Sequence, residues 1–104
     1  MIPPPSDHDG EDVTARYEVI ISGKAEGFGQ DKYYGYEENL YEKVIGNFDA
    51  LDTPAAANQV HFIKGLFEDT LSISGPVALA HIDGDWFESV MVCLERIEPH
   101  LSVG

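Results

Sequence analysis

The sequence has 104 residues, of which 43% are hydrophobic, and this combination suits one folded domain rather than a disordered chain. Nineteen acidic residues against six basic ones give a formal net charge of −13. This charge argues against nucleic acid or an anionic membrane as partner, because both require a basic surface. Cys93 is the only cysteine, so no intrachain disulfide forms. No apolar run approaches the ~20 residues of a membrane span, and the N-terminus lacks the pattern of a secretory signal, so we expect a cytoplasmic protein.

The first third of the chain, residues 1–36, has the pattern of mostly irregular structure. Its start, "MIPPPSDHDGED", combines three prolines, which exclude the interior of a helix, with charged turn residues. The alternation of Tyr17, Val19 and Ile21 predicts one short strand. The four glycines of residues 23–36 then predict a flexible loop, which would suit a lid over a site.

Two segments of residues 37–104 have the periodicity of amphipathic helices, with apolar residues three and four positions apart. The first lies near residues 40–51, and the last runs from Phe87 to Leu101. A single helical turn is also predicted in "LFEDTL", residues 66–71. The two apolar stripes consist of Leu40, Val44, Ile45, Phe48 and Leu51, and of Phe87, Val90, Met91, Leu94, Ile97 and Leu101.

Two further segments predict β-strands. "QVHFIKG", residues 59–65, is a short run closed by Gly65, and "PVALAHI", residues 76–82, is continuous and apolar, the pattern of a strand covered on both faces. The resulting order over residues 37–104, αβαβα, predicts an α/β fold with parallel strands and right-handed crossovers. Two strands make a poor independent sheet, so we expect the chain to be a piece of a larger sheet.

The motif "DGD", Asp83 to Asp85, follows the second predicted strand. Ligands of open α/β sheets bind at the carboxyl ends of the strands, where both carboxylates are expected. Two such carboxylates offer hard oxygen ligands for Mg²⁺, or one of them could accept a proton from a substrate hydroxyl. A purely structural interpretation is equally open: Asp85 as N-cap of the last helix, with Glu88 completing a capping box and Asp83 as a turn residue.

Two longer stretches resemble a known family. "NQVHFIKGLFEDTL" and "LAHIDGDWFESVMVCLERIEPHLSVG" are similar to the S-adenosylmethionine-dependent O-methyltransferases of the macrocin O-methyltransferase (TylF/MycF) type. That family has a strand ending "V-x-F-x-K-G", then an acidic "D/E-T-L", and later an "L-D-x-D-x-Y/F-E-S-T" element that leads into a helix. "MIPPPSDHDG" resembles the family's loop after its second strand, and "KYYGYEENLYEKVIGNF" the helix before its third. The likeness spans nearly the whole chain.

The resemblance implies a Rossmann-like class I methyltransferase fold and assigns roles to five residues. Asp83 matches an aspartate that coordinates a divalent metal beside the acceptor hydroxyl. Asp85 matches the second aspartate of that element, which implies metal coordination, substrate contact or proton transfer. Gly65, Leu66 and Phe67 occupy the turn that packs against the adenine of the cofactor, with Phe67 as the expected contact.

The resemblance further implies S-adenosylmethionine and Mg²⁺ as cofactors and a small-molecule hydroxyl, on a sugar or natural product, as acceptor. A homo-oligomer is an open alternative to a monomer. Residues 1–104 match the central part of one methyltransferase domain, without the upstream glycine-rich motif and the downstream acidic pair. We therefore expect the isolated 104 residues to be inactive alone. The alternative is a non-catalytic, truncated α/β interaction or ligand-binding module in which the aspartates only cap a helix.

Overall fold

The computed structural model describes residues 2–103, which form four α-helices joined by extended segments and short 3-10 turns. Buried side chains are few and lie in two places, around Tyr33 and along the last helix. Among the described residues no helix is both long and apolar enough to cross a bilayer. The helices are α1 (Glu11–Ile21), α2 (Leu40–Ala50), α3 (Phe67–Thr70) and α4 (Phe87–Ile97), and the 3-10 turns are Phe28–Gln30, Tyr34–Tyr36, Ala55–Asn58 and Glu98–His100.

The predicted α/β, Rossmann-like fold with parallel strands is wrong for the part of the chain that the structure describes. Within residues 2–103 the β-pairing consists of two isolated bridges, Glu26 with Lys32 and Val77 with Leu101. The predicted strands 59–65 and 76–82 are irregular segments in which Val77 alone forms a bridge, so the order αβαβα is not formed either.

The exposure of these two segments explains why the predicted sheet is not formed. Leu79 is 86% exposed, although the apolar pattern of residues 76–82 predicts burial on both faces, and Ile63 in the segment 59–65 is 70% exposed. A continuous apolar run specifies the surroundings that a strand would need, but a parallel strand forms only when a neighbour supplies the ladder of hydrogen bonds. Here Val77 alone is paired: its N–H donates to the His100 carbonyl at 2.8 Å, and its carbonyl accepts from Ser102 N–H at 2.8 Å.

Helix α1 corrects the prediction of irregular structure and a strand in the first third of the chain. The short alternation at Tyr17, Val19 and Ile21 concealed a helical spacing, since Val13, Tyr17 and Ile20 are the positions that become half-buried or buried. Glu11 and Asp12 lie in the first turn, where negative charge is favourable to the helix dipole.

Helix α2 confirms the first predicted amphipathic helix, and it packs against the segment that contains Phe62. The Phe48 ring packs edge-on against Phe62, with centroids 5.0 Å apart. The Tyr41 hydroxyl donates to the Phe62 carbonyl at 3.2 Å. Leu40, Val44 and the rest of the stripe up to Phe48 are half-buried, whereas Leu51 lies at the C-terminal end and is 76% exposed.

Helix α4 confirms the last predicted helix as far as Ile97, after which a 3-10 turn continues to His100. Its Cys93 is 4% exposed, and Val90 and Met91 are half-buried. Trp86, directly before the helix, is 7% exposed. The DGD motif, residues 83–85, lies directly before Trp86 and therefore at the N-terminal end of helix α4.

Candidate active site

A cavity of about 490 Å³ opens beside the DGD motif. Asp83 and Asp85 both line it, and both are exposed rather than buried against neighbouring groups. The same cavity is lined from other parts of the chain by Lys64, Phe67 and Trp86, and by residues of the segment 34–41. A volume of this size is within the range of small-molecule sites.

The turn of residues 65–67 lies directly beside the motif. A Cβ added to Gly84 would stand 3.8 Å from Phe67 Cε2 and 3.3 Å from Val90 Cγ2, so the motif passes close to the Phe67 ring and to helix α4. The structure therefore brings Asp83, Asp85 and Phe67 together at one cavity. Their chemical roles remain predictions.

Gly65 and Leu66 line an adjoining cavity of about 500 Å³ rather than the first one. The two cavities share Pro3 and Lys64 in their linings. Gly65 has a φ of 150°, and a Cβ at this position would collide with Thr70 Cγ2. Glycine is therefore required at position 65, where the turn begins. The carbonyl of the next residue, Leu66, accepts a hydrogen bond from Thr70 Oγ1 at 2.8 Å.

Arg96 ties this turn to helix α4. Its guanidinium donates to three main-chain carbonyls of residues 67–71: Nη1 to Phe67 O at 3.0 Å and to Leu71 O at 2.8 Å, and Nη2 to Glu68 O at 2.7 Å. These carbonyls belong to the one-turn helix α3 and the residue after it. The Phe67 carbonyl also accepts from the Leu71 N–H at 2.9 Å, so the guanidinium adds a second donor there. The Glu68 and Leu71 carbonyls lie at the C-terminal end, where a helix leaves its last carbonyls without intrahelical partners, and the guanidinium supplies donors to them.

The N-terminal segment closes against the start of helix α4. Asp9 Oδ1 accepts a 2.8 Å hydrogen bond from the backbone N–H of Phe87, and Asp9 Oδ2 accepts one of 2.8 Å from Ser6 N–H. These two backbone donors hold the pKa of Asp9 below its usual value. The indole N–H of Trp86 donates to the Pro3 carbonyl at 2.8 Å, which places Pro3 at the edge of the cavity.

The capping interpretation of the motif is wrong. The N-cap residue of α4 is Trp86, not Asp85, and its side chain makes no capping hydrogen bond. The cap is instead supplied by Asp9 from a distant part of the chain. Glu88, expected in a capping box, accepts a 2.9 Å hydrogen bond from His8 Nδ1, or pairs with it when the ring is protonated. Helix capping therefore does not explain Asp85.

The motif alone would supply two oxygen donors to a cation. Within residues 2–103 no group of three or more His, Cys, Asp or Glu side chains lies together as a metal-binding cluster. Mg²⁺ commonly binds to one or two carboxylates and completes its shell with water or substrate oxygens. Two exposed carboxylates on a cavity wall fit that donor set.

Sequence reasoning missed Asp9 and Arg96. "SDHD" has the Ser-x-x-Asp spacing of a local turn, and Ser6 does bond Asp9, but this spacing contains no indication of Phe87 as a partner. Arg96 is an ordinary basic residue in the last turn of an amphipathic helix, and only the packing of α3 against α4 reveals its three carbonyl partners.

Comparison with known proteins places the chain in a class of methyltransferases. The profile of the family described as macrocin-O-methyltransferase (TylF) matches residues 30–104, and the chain belongs to this family. The resemblance read from the sequence is thereby confirmed.

A curated relative is the 8-demethyl-8-(2,3-dimethoxy-alpha-L-rhamnosyl)-tetracenomycin-C 4'-O-methyltransferase of Streptomyces olivaceus. It is 38% identical to this chain over 65 residues, which are 61% of this chain and 24% of the relative. The chain thus spans about a quarter of the length of the curated relative that it matches. No solved structure matches the chain.

Proposed function

We propose that this chain contributes part of the active site of an S-adenosylmethionine-dependent O-methyltransferase that acts on a hydroxyl of a sugar-bearing small molecule. The observation that carries the proposal is the meeting of Asp83, Asp85 and Phe67 at one cavity, although Phe67 is 16 positions before Asp83. Membership of the macrocin-O-methyltransferase family supports the reaction class.

Asp83 and Asp85 would hold Mg²⁺ at the cavity wall. Mg²⁺ held there would act as a Lewis acid toward the acceptor hydroxyl, which is otherwise a poor nucleophile near neutral pH. The two carboxylates would orient the acceptor hydroxyl. A carboxylate oxygen that does not bind the metal would accept the proton of this hydroxyl. The remaining work is positioning, because methyl transfer requires the nucleophile in line with the sulfonium carbon.

Phe67 would contact the adenine of S-adenosylmethionine, and the turn that begins at Gly65 would bring the backbone close to it. An aromatic face is a favourable partner for a flat heterocycle. Arg96 holds the carbonyls of this turn, so the position of the Phe67 ring depends on helix α4. The methyl donor would therefore be positioned by helix α4, which follows the two aspartates along the chain.

The proposed acceptor class is supported by the curated relative, whose name states methylation at the 4' position of a rhamnosyl tetracenomycin. We expect this chain to serve a glycosylated natural product of the same chemical kind, in the cytoplasm. The non-catalytic alternative relied on aspartates that only cap α4, and it loses that basis because Asp9 is the cap.

The proposal is tested by methyl transfer in the intact gene product that carries these residues. Methyl-labelled S-adenosylmethionine, Mg²⁺ and a panel of glycosides are supplied, and labelled glycoside is quantified by mass spectrometry. We expect Asp83→Asn and Asp85→Asn each to lower kcat by about a hundredfold or more, the scale of lost proton transfer and metal activation. The matched control is Asp49→Asn on the exposed side of α2. Full activity in both site variants would refute the assignment.

A further inference from the structure

A second cavity, of about 440 Å³, lies between helix α1 and the residues that precede helix α4. It shares part of its wall with the cavity beside the DGD motif, because Tyr34, Asp85 and Trp86 line both. A molecule bound in the second cavity therefore meets Asp85, which also faces the first. The two cavities therefore adjoin at Tyr34, Asp85 and Trp86.

The second cavity has rigid aromatic walls. Trp86 is 7% exposed and fixed by the hydrogen bond from its indole N–H to Pro3. Tyr33 is 5% exposed and packs on Tyr34, with ring centroids 4.6 Å apart. These two buried rings fix the wall, and Tyr34, which is 57% exposed, offers the accessible ring. An aromatic face is complementary to the C–H face of a pyranose ring, and a wall that is already ordered loses little entropy when a ligand binds.

Polar groups are interleaved with these rings. Asp12 and Arg16 lie one turn apart on α1, and both line the cavity together with Asp85. The Arg16 guanidinium carbon is 5.5 Å from the Tyr33 ring centroid, a cation–π arrangement that restricts the side chain. Carboxylates accept hydrogen bonds and a guanidinium donates several, so together they match a ligand with multiple adjacent hydroxyls.

The balance of charge disfavours an anionic ligand. Two carboxylates against one guanidinium would repel a phosphate, whereas a neutral polyhydroxylated ring is not repelled. Burial raises the pKa of Tyr33 to about 12, so its phenol stays neutral at physiological pH and adds no further charge. The cavity therefore suits a neutral sugar.

We propose that this second cavity binds the sugar ring that carries the methyl-accepting hydroxyl. The sugar ring packs against Tyr34 beside the wall formed by Tyr33 and Trp86, its other hydroxyls bond to Asp12 and Arg16, and the reacting hydroxyl points to Asp85. The inference rests on the proposed function and adds to it the place of the acceptor. Sugar and methyl donor then occupy separate cavities that meet at the motif.

The test uses Arg16→Met and Asp12→Asn in the intact gene product, with Glu18→Gln on the same helix as the matched control. KM is measured for a glycoside that the wild type methylates, and Kd for S-adenosylmethionine is measured separately by calorimetry. We expect each site variant to raise the glycoside KM by about tenfold or more, as for a lost charge-assisted hydrogen bond. In both site variants the Kd for S-adenosylmethionine should equal that of the wild type. In Glu18→Gln both the glycoside KM and this Kd should equal those of the wild type.

Two failures are distinguishable. A wild type that methylates a glycoside, together with an unchanged glycoside KM in both site variants, overturns the subsite and leaves the proposed function standing. A wild type that methylates no glycoside overturns both. Should Arg16→Met lower the melting temperature through its loss of contact with Tyr33, the isosteric Asp12→Asn variant decides the matter, because Asp12 is exposed.

Discussion

Asp9 caps helix α4 by accepting a 2.8 Å hydrogen bond from the Phe87 N–H, across 78 positions of sequence. This bond fastens the N-terminal segment to the helix that follows the DGD motif, and it places a negative charge at the positive end of the helix dipole. The nearby contact between His8 and Glu88 is largely exposed, at 65% and 55%, and surface pairs of this kind contribute little. The cap and the 2.8 Å hydrogen bond from the Trp86 indole to the Pro3 carbonyl are therefore the main polar links between these two parts of the chain.

The first prediction concerns the cap. Asp9→Ala should lower the melting temperature, because the Phe87 N–H loses its acceptor, whereas Asp9→Asn should retain much of the stability, since asparagine also caps helices well. Asp7→Ala is the control on the exposed side of the same segment. Thermal unfolding followed by circular dichroism measures all three, and equal melting temperatures for Asp9→Ala and Asp7→Ala would contradict the cap.

The charge of Asp9 also makes a pH dependence predictable. Its folded-state pKa lies below the unfolded value of 3.8, so the stabilisation is fully present above the unfolded pKa and is lost as pH falls through the folded pKa. Urea unfolding of wild type and Asp9→Asn at a series of pH values measures it. The stability advantage of the wild type should shrink on acidification below the unfolded value, and a difference that stays constant with pH would be the opposite result.

The second prediction concerns Arg96. Replacing it by methionine keeps the aliphatic packing but removes the guanidinium donors of the Glu68 and Leu71 carbonyls. The Phe67 carbonyl keeps its hydrogen bond from the Leu71 N–H. We expect a cost of about 2 kcal/mol in the free energy of unfolding. Arg96→Lys should recover only part, because an ammonium does not reproduce the planar fork. The neighbouring exposed Glu95→Gln is the control. Chemical denaturation of Arg96→Met with wild-type stability would argue against the role.

The third prediction compares two glycines. Gly65→Ala should destabilise the protein by about 1–3 kcal/mol, because alanine is strained at a φ of 150° and its Cβ would collide with Thr70. Gly46→Ala should instead stabilise it by up to about 1 kcal/mol, since Gly46 lies inside helix α2 with open space around its Cα. Equilibrium unfolding of both variants checks the opposite signs.

The fourth prediction uses the single cysteine. Cys93 is 4% exposed on α4, and burial raises the pKa of its thiol, so both access and thiolate fraction are reduced. Its reaction with a disulfide reagent at neutral pH should be slow in the native protein and rapid in denaturant. Native reactivity equal to that of the denatured chain would show that α4 does not pack as described.

Helices α2 and α4 were predictable because their apolar residues recur with a helical period over several turns. Helix α1 was not, since three alternating residues, Tyr17 to Ile21, imitate a strand over a stretch too short to separate the two periods. The segment containing Leu79 shows the other limit: an apolar run indicates what a strand requires but not whether a neighbouring strand is present. The parallel sheet therefore failed as a prediction.

The location of the site was more predictable than its surroundings. Asp83 and Asp85 were singled out from the local motif and Phe67 from the family resemblance, and all three line one cavity, with Gly84 beside the Phe67 ring. Asp9 and Arg96 act through partners distant in sequence, for which the local pattern gives no signal. The local motif and the family resemblance identified these three cavity residues, whereas only the packing revealed the residues that hold them.

Binding of Mn²⁺, a spectroscopic substitute for Mg²⁺, tests the central assignment most directly. Electron paramagnetic resonance of the intact gene product, titrated with Mn²⁺, should report a bound ion in the wild type and in Asp49→Asn. The same titration should report affinity lowered by at least about tenfold in Asp83→Asn and Asp85→Asn, each of which removes a charged ligand. Unchanged Mn²⁺ affinity in both aspartate variants would contradict the account.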